Sequence, residues 1–277
     1  MPHVPKPSGP KPFSSSPLDS ETEIKSDTEA VFDSESRDLL SPEGMRFSML
    51  KLTDAELRSR IHSIPVDDRD DKLPRVEIDD ADGQHSALMR LDHPSKLRVN
   101  GSLGDYAFAH HRQVVVKVFG NVGHGVGEGM ASGSVRIRGN AGHAAGTAMT
   151  GGTLAIYGSA GDRAGAAMRG GGLFVRGSVG NEVGLGAIGG TIVIGGDAGI
   201  NLGDPLSDVA VFIRGKAASL APGVTQTKLR KKQEVQLGLL LISAGIRGDA
   251  SDFQRIIPIA KLDAERSARG EVVPNWR

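Results

Sequence analysis

Residues 120–138 read GNVGHGVGEGMASGSVRIR, and the next 19 residues, 139–157, read GNAGHAAGTAMTGGTLAIY. The pattern returns in residues 158–176 and 177–195, so glycines recur at fixed positions every 19 residues. A fixed period of about 20 residues is typical of a solenoid, in which each unit packs against its neighbours. The first column of glycines has seven members: Gly101, Gly120, Gly139, Gly158, Gly177, Gly196 and Gly215.

The composition fits this repeat. Glycine accounts for 38 of the 277 residues, about twice the usual share, and 30 of these glycines lie between residues 97 and 222. There is no strict G-X-Y triplet, so collagen is excluded, and apolar residues interrupt the glycines too often for a flexible linker.

Apolar residues keep the same period as the glycines. Fifteen and seventeen residues after each first-column glycine stand pairs such as Val135 and Ile137, whose alternation predicts a short strand with both side chains inside. Smaller residues such as Ala141 and Ala145 supply a second inward edge. Nineteen residues leave no room for a helix in each unit. We therefore predict an all-β solenoid, a parallel β-helix of about seven 19-residue coils over residues 97–222.

The N-terminal quarter of the chain divides into two parts. Residues 1–48 are rich in proline and acidic residues and predict a disordered tail. Residues 49–96 predict a cap, in which a capping box at Thr53 and Glu56 opens a helix that ends near residue 64, before lead-in strands from about Val76.

Residues 223–277 predict a helical cap and a tail. Lys228 to Ala244 is apolar on almost every side, which predicts a buried helix, and Gly245 is suited to ending it. A second capping-box pattern runs from Ser251 to Gln254, just before Ile256 and Ile257.

Charge and cysteine content exclude several classes of function. The chain has 33 basic and 33 acidic residues, so neither nucleic acid nor a membrane is the expected partner. It has no cysteine, hence no disulfide and no thiolate-held zinc or iron–sulfur cluster of its own. With no apolar run long enough to span a membrane and no apolar signal core, a cytoplasmic location is expected.

No motif predicts catalysis by this chain. The run GHGVGEG at 123–129 is like a phosphate-binding loop, but its glycines belong to the repeat and no helix follows. His124 and His143 share a column and could meet at a metal or acid–base site, although a solvated polar ladder explains them better, and the same holds for His110 and His111. The methionine column fills the core: Met130, Met149 and Met168. We expect no catalytic, cofactor-binding or metal-binding residue.

The outward positions of the strands change character along the solenoid. Basic residues occupy the early coils, and apolar or aromatic residues occupy the later ones. Either this face docks a partner, or residues 223–277 fold back over it. The residues concerned are Arg98, Lys117, Arg136, Tyr157, Phe174, Val193 and Phe212.

The glycine columns resemble those of the GXGXG domain family. The resemblance rests on GNVG at 120–123, GNAG at 139–142, GSAG at 158–161 and GSVG at 177–180. Later in its coil, each of these is followed by Ser-Gly or Gly-Gly. This domain ends the large subunit of glutamate synthase and also occurs as a separate component of formylmethanofuran dehydrogenase and formyltransferase/hydrolase complexes. Stand-alone glutamate-synthase-like subunits, including that of N-methylglutamate synthase, are most similar, over about residues 50–263.

The resemblance implies a right-handed β-helix without catalytic residues. In that family the domain holds a class II glutamine amidotransferase-like part against an FMN-dependent glutamate synthase-like part, which also carries an iron–sulfur cluster. We therefore expect a non-catalytic scaffold subunit whose partners carry FMN and the cluster. Two alternatives remain open: the GXGXG component of a formyltransferase/hydrolase or formylmethanofuran dehydrogenase complex, and a stand-alone β-helix enzyme that acts on polysaccharide.

Overall fold

A computed structural model describes residues 45–66 and 73–271, all within the unit that spans Leu39–Arg277. Its strands form a single sheet in the order β1-β2-β3-β4-β5-β6-β7-β8-β9-β11-β10. The elements in chain order are β1 Met45–Ser48, α1 Asp54–His62, β2 Arg75–Gln84, β3 Lys96–Leu103, β4 Val115–Val118, β5 Ser134–Ile137, β6 Thr153–Ile156, β7 Gly172–Val175, β8 Thr191–Ile194, β9 Ala210–Ile213, β10 Val224–Lys228, α2 Lys231–Ala244, a 3-10 turn Ala250–Asp252, β11 Gln254–Pro258 and α3 Ile259–Ala268.

Strands β1 to β9 are parallel, and each of β3 to β8 is paired with the strand 19 residues later. Val135 lies beside Leu154, for example, and Leu154 beside Leu173. This register confirms the predicted β-solenoid of about seven turns. The ladder also continues before the glycine columns begin, because β2 pairs with β3 and β1 pairs with β2.

The interior of the coils is filled as the periodicity predicts. The paired strand residues are buried, from Leu97 and Val99 in β3 to Val211 and Ile213 in β9. A second buried edge is marked by single bridges between coils, such as Ala141 to Ala160. The methionine column is also inside the core, since Met130, Met149 and Met168 are each 0% exposed.

The first-column glycines are explained by the close approach of neighbouring coils. Gly139, Gly158 and Gly177 each donate a backbone hydrogen bond to the glycine carbonyl one coil earlier, at 2.9–3.1 Å. A Cβ atom at any of these three positions would lie 2.6 Å from that carbonyl oxygen. In this column only Gly101 has a positive φ, so the shared requirement is space and not a special backbone conformation.

Other glycine columns meet a conformational requirement. Seven residues after the first column, Gly127, Gly146 and Gly165 have φ of 66–69°, the left-handed region that glycine adopts without steric cost. These glycines alternate with other left-handed residues through the corner of each coil, among them Ala144 and Ala148. The chain therefore reverses direction within a few residues and returns to the sheet.

The N-terminal cap follows the predicted pattern in part. The Thr53 hydroxyl accepts from the Glu56 backbone N–H while the Glu56 carboxylate accepts from the Thr53 backbone, which confirms the capping box at the start of α1. The predicted tail 1–48 lies outside the described residues except for 45–48, which form β1 and extend the sheet.

The C-terminal segment contains more β structure than the sequence predicts. The capping-box pattern at Ser251 opens no α-helix: a 3-10 turn leads into β11, which pairs antiparallel with both β9 and β10. Gly245 ends α2 in the left-handed conformation, as expected. The prediction that this helix is buried is wrong, because only one face of it is covered. Among the described residues, no helix is long and apolar enough to cross a membrane.

Replacing Gly139 with alanine should destabilise the fold by about 1–3 kcal/mol, because the added methyl group forces two coil backbones apart. Gly248→Ala is the matched control. Its Cβ would meet only ordinary contacts at 3.8 Å, so its free energy of unfolding should stay within about 0.5 kcal/mol of the wild type. Urea denaturation measures both. Equal stabilities for the two variants would contradict the spacing argument.

Candidate functional site: the outer sheet face and the corners

The strand register places the outward residues in a row across the sheet. Hydrogen-bonded pairing aligns Arg46, Glu77, Arg98, Lys117, Arg136, Ala155, Phe174, Val193, Phe212 and Arg255, in that order. Six of the seven residues named for the predicted docking face therefore lie in one continuous row, charged over the first coils and apolar over the later ones, whereas Tyr157 lies just after β6.

The apolar part of this row is not open to solvent. Phe174, Val193 and Phe212 are at most 7% exposed, and Tyr157 beside them is 8% exposed. The Tyr157 hydroxyl donates to the Ala244 carbonyl oxygen at 3.0 Å, which ties the end of α2 to the residue that follows β6. Of the two alternatives for these residues, the structure favours packing within the chain over docking.

The covering residues come from the C-terminal segment. Several buried apolar side chains there lie outside the main core, and β11 brings its own outward residues beside Phe212. Arg136 of β5 also reaches this cover, with its Nη2 donating to the Ser243 carbonyl oxygen at 3.2 Å. The buried residues of this second apolar layer include Leu237, Leu241, Ile246, Phe253 and Ile257.

The early, basic part of the row is neutralised locally. Arg46 donates to Glu77 at 2.6 Å, and the Arg98 guanidinium lies 3.4 Å from Glu77 and 3.9 Å from the centre of the Phe119 ring. Partial burial opposes ionisation of Glu77, but hydrogen bonds from Asn100 and Arg46 outweigh it and lower the pKa of this carboxyl. Lys117 is itself buried. This region is an ion-paired network that is partly buried at Glu77 and Arg98 and exposed at Arg46.

The histidine column forms the predicted polar ladder. The Asp105 carboxylate accepts from the His124 backbone N–H at 2.7 Å, His124 Nδ1 from that of His143 at 2.8 Å, and His143 Nδ1 from that of Asp162 at 2.9 Å. The two imidazoles stack with centroids 4.9 Å apart. Side chains on one coil thus satisfy backbone donors on the next, where the four-residue strands have ended.

This hydrogen bonding also fixes the tautomer of the two rings. A backbone N–H can donate only to an unprotonated Nδ1, so the neutral imidazoles of His124 and His143 carry their proton on Nε2. A metal bound at Nε2 would move that proton to Nδ1 and break the ladder bond. In residues 45–66 and 73–271, no three His, Asp or Glu side chains gather in a way that could hold a metal ion.

His111 does not lie on the surface, contrary to the prediction made for it with His110. It stands ten residues after Gly101, which is the position of the methionine column in later coils, and it is 0% exposed. Its Nδ1–H donates to the Phe108 carbonyl oxygen at 2.9 Å, whereas Nε2 has no partner within the described chain. Burial of the ring lowers the pKa of His111. The column position was the signal that could have placed this residue inside.

Three exposed apolar residues, which we call the corner patch, stand on the late coils. Leu185, Ile188 and Leu206 are 46%, 62% and 92% exposed. The Asp204 carboxylate holds their two turns together, because it accepts from the backbone N–H of Gly186 and of Leu206, each at 2.8 Å.

The corner patch is a local feature of the solenoid. In the preceding coil the residues equivalent to Leu185 and Ile188 are Ala166 and Arg169. The apolar side chains are therefore not a requirement of the repeat.

Comparison with known proteins adds no relative. No protein-family model matches the chain, and no curated protein matches it.

Phe174→Asp should destabilise the fold by more than about 3 kcal/mol, because it places a carboxylate inside the second apolar layer. Ile188→Asp is the control, since this side chain is 62% exposed, and its stability should change by no more than about 0.5 kcal/mol. Thermal unfolding followed by circular dichroism measures both. A Phe174→Asp variant as stable as the wild type would mean that the cover over β7 is not packed.

Stability should fall as the pH drops below about 6.5, in part through His111. The pKa of this ring is lowered in the folded chain, so the unfolded chain binds a proton at mildly acidic pH that the folded chain does not. His111→Met should remove this component of the pH dependence. His110→Asn, at an exposed position, should leave it intact. The free energy of unfolding measured in urea across this pH range tests the assignment, and equal slopes for wild type and His111→Met would refute it.

Proposed function

We propose that this chain is a non-catalytic scaffold subunit of a multi-subunit complex of the glutamate synthase type, most specifically of N-methylglutamate synthase. In this proposal it holds a class II glutamine amidotransferase-like subunit against an FMN-dependent glutamate synthase-like subunit. Glutamate and methylamine are the substrates of the complex, and FMN and an iron–sulfur cluster belong to the partner. The chain itself holds the partner subunits in position and carries out no chemical step.

The glycine columns give this proposal its first support. The residues that carry the resemblance to the GXGXG family, such as Gly139 and Gly158, are those at which neighbouring coils touch and donate backbone hydrogen bonds to each other. A stack of coils with so little space between them bends little. Rigidity of this kind suits a subunit whose task is to keep two others at a fixed separation.

The observation that carries the scaffold role is the corner patch. Leu185, Ile188 and Leu206 project from turns that Asp204 fixes in place, so the apolar surface is preformed before any partner binds. Exposed apolar groups on a rigid support mark protein interaction sites, and preformed sites lose less conformational entropy on binding. We assign this patch to contact with one of the two partner subunits.

Affinity purification of the full chain from its native cell, followed by mass spectrometry and flavin absorbance, tests the assignment. A glutaminase-like and an FMN-containing synthase-like subunit should co-purify in fixed stoichiometry. Ile188→Asp should reduce recovery of one of them by roughly tenfold or more, because it places a charge in the apolar contact. Arg169→Ala, at the equivalent position one coil earlier, is the control and should retain both.

Two results would redirect the proposal. Recovery of a formyltransferase partner would assign the chain to the formyltransferase/hydrolase alternative. Recovery of both expected subunits with the Ile188→Asp variant would keep the complex but remove the corner patch from its interface.

A further inference from the structure

Helix α2 has a second apolar face that the described residues, 45–66 and 73–271, do not cover. Leu237, Leu241 and Ala244 point to the solenoid and are at most 1% exposed. Val235, Leu239 and Ile242 are 66%, 65% and 76% exposed. Their spacing of four and three residues puts these three on one line along the helix, which we call the outer stripe.

A notch interrupts the outer stripe at its midpoint. Gly238 stands about halfway between Val235 and Ile242, and, apart from its chain neighbours and the helix's own backbone, a Cβ atom placed on it would have no heavy atom of the described residues within 4 Å. Glycine inside a helix weakens it, and packing among the described residues does not explain its presence here. Leu239, the middle residue of the outer stripe, projects next to this notch.

We propose that the outer stripe binds a second copy of this chain, with the two α2 helices antiparallel across a two-fold axis. A two-fold interface brings the same surface of both copies together, so it requires a self-complementary shape. With the axis at the midpoint of the stripe, Leu239 of each copy enters the notch over Gly238 of the other, and Val235 of each packs against Ile242 of the other. Small residues at a helix crossing permit this close approach.

The distribution of charge favours the same arrangement. Lys231 and Lys232 are exposed at the first turn of α2, and its last turn has no basic residue. Antiparallel helices place these lysines beside the other copy's C-terminal turn, which carries the negative end of the helix dipole together with the Arg136 guanidinium bound at the Ser243 carbonyl oxygen. A parallel pair would bring four lysines together, of which each Lys231 is paired with its own Glu234 at 2.8 Å. Between these ends the exposed face carries only Gln236 and Ser243 besides the stripe, and a face without charge is typical of an interface core.

The helix is held firmly enough to act as a preformed surface. Its last turn is anchored to the sheet through the Tyr157 hydroxyl at 3.0 Å and Arg136 Nη2 at 3.2 Å. The first turn is held by Arg230, which donates to Glu265 of α3 at 3.1 Å. Because both ends are fixed by contacts within one copy, dimerisation requires no other subunit and does not depend on the function proposed above.

Sedimentation analysis of the purified full chain over a wide range of concentration tests the dimer. The wild type should dimerise. Gly238→Leu should fold, because the added side chain enters open space on a helix, but it should weaken dimerisation roughly tenfold or more by filling the notch. Ala260→Leu adds the same bulk to an exposed position of α3 and should dimerise like the wild type. Circular dichroism checks that each variant is folded.

Because the chain has no cysteine of its own, disulfide formation by a single introduced cysteine gives a second test of the dimer. Leu239→Cys, close to the two-fold axis, should form a disulfide between two copies on mild oxidation, whereas Leu206→Cys, outside α2 and 92% exposed, should not. A wild-type chain that remains monomeric, or a dimer that survives Gly238→Leu with unchanged affinity, would overturn the proposal. Monomers that bind another subunit through α2 would also overturn it and assign the stripe to that subunit.

Discussion

The spacing between successive coils is the constraint on which the rest of this structure depends. Parallel strands in one sheet lie about 4.8 Å apart, and in a solenoid the corners must keep that spacing as well as the strands. At Gly139, Gly158 and Gly177 the corner backbones approach until the glycine N–H reaches the glycine carbonyl of the coil before it. No side chain fits between them. The glycine columns thus set the 19-residue period, and the apolar columns fill the interior that this period creates.

The same spacing explains the polar ladders. Most strands of the solenoid are only four residues long, so much of each coil is corner, where backbone donors need other acceptors. Asn121 accepts from the backbone N–H of Asn140, and Asn140 from that of Ser159, each at 2.8 Å. The imidazoles of His124 and His143 do the same in a neighbouring column. His124 and His143 are thus acceptors equivalent to asparagine, and their place in a column says nothing about catalysis.

Features that recur in every coil could be predicted from the sequence, and features that occur once could not. Alternation at Val135 and Ile137 returns six times, which is why the strands, the core and the register were predictable. The cover over Phe174 and Phe212 occurs once. The sequence alone therefore did not decide whether these two side chains are exposed or buried. Likewise α2 is apolar on two faces, and composition alone does not say which face meets the sheet.

His111 marks the boundary between these two cases. Taken as one of two adjacent histidines, it suggested a solvated corner, but its position in the repeat is that of Met130 and Met149, which places it in the core. Position within the repeat therefore outweighs residue type in a solenoid. The converse also holds: residues that depart from the usual residue type of their column without a packing reason, such as Leu185 and Ile188 on the corner, are free of the spacing constraint. Interaction surfaces can change at such positions without disturbing the stack, so these are the places where a solenoid of this type can acquire specific partners.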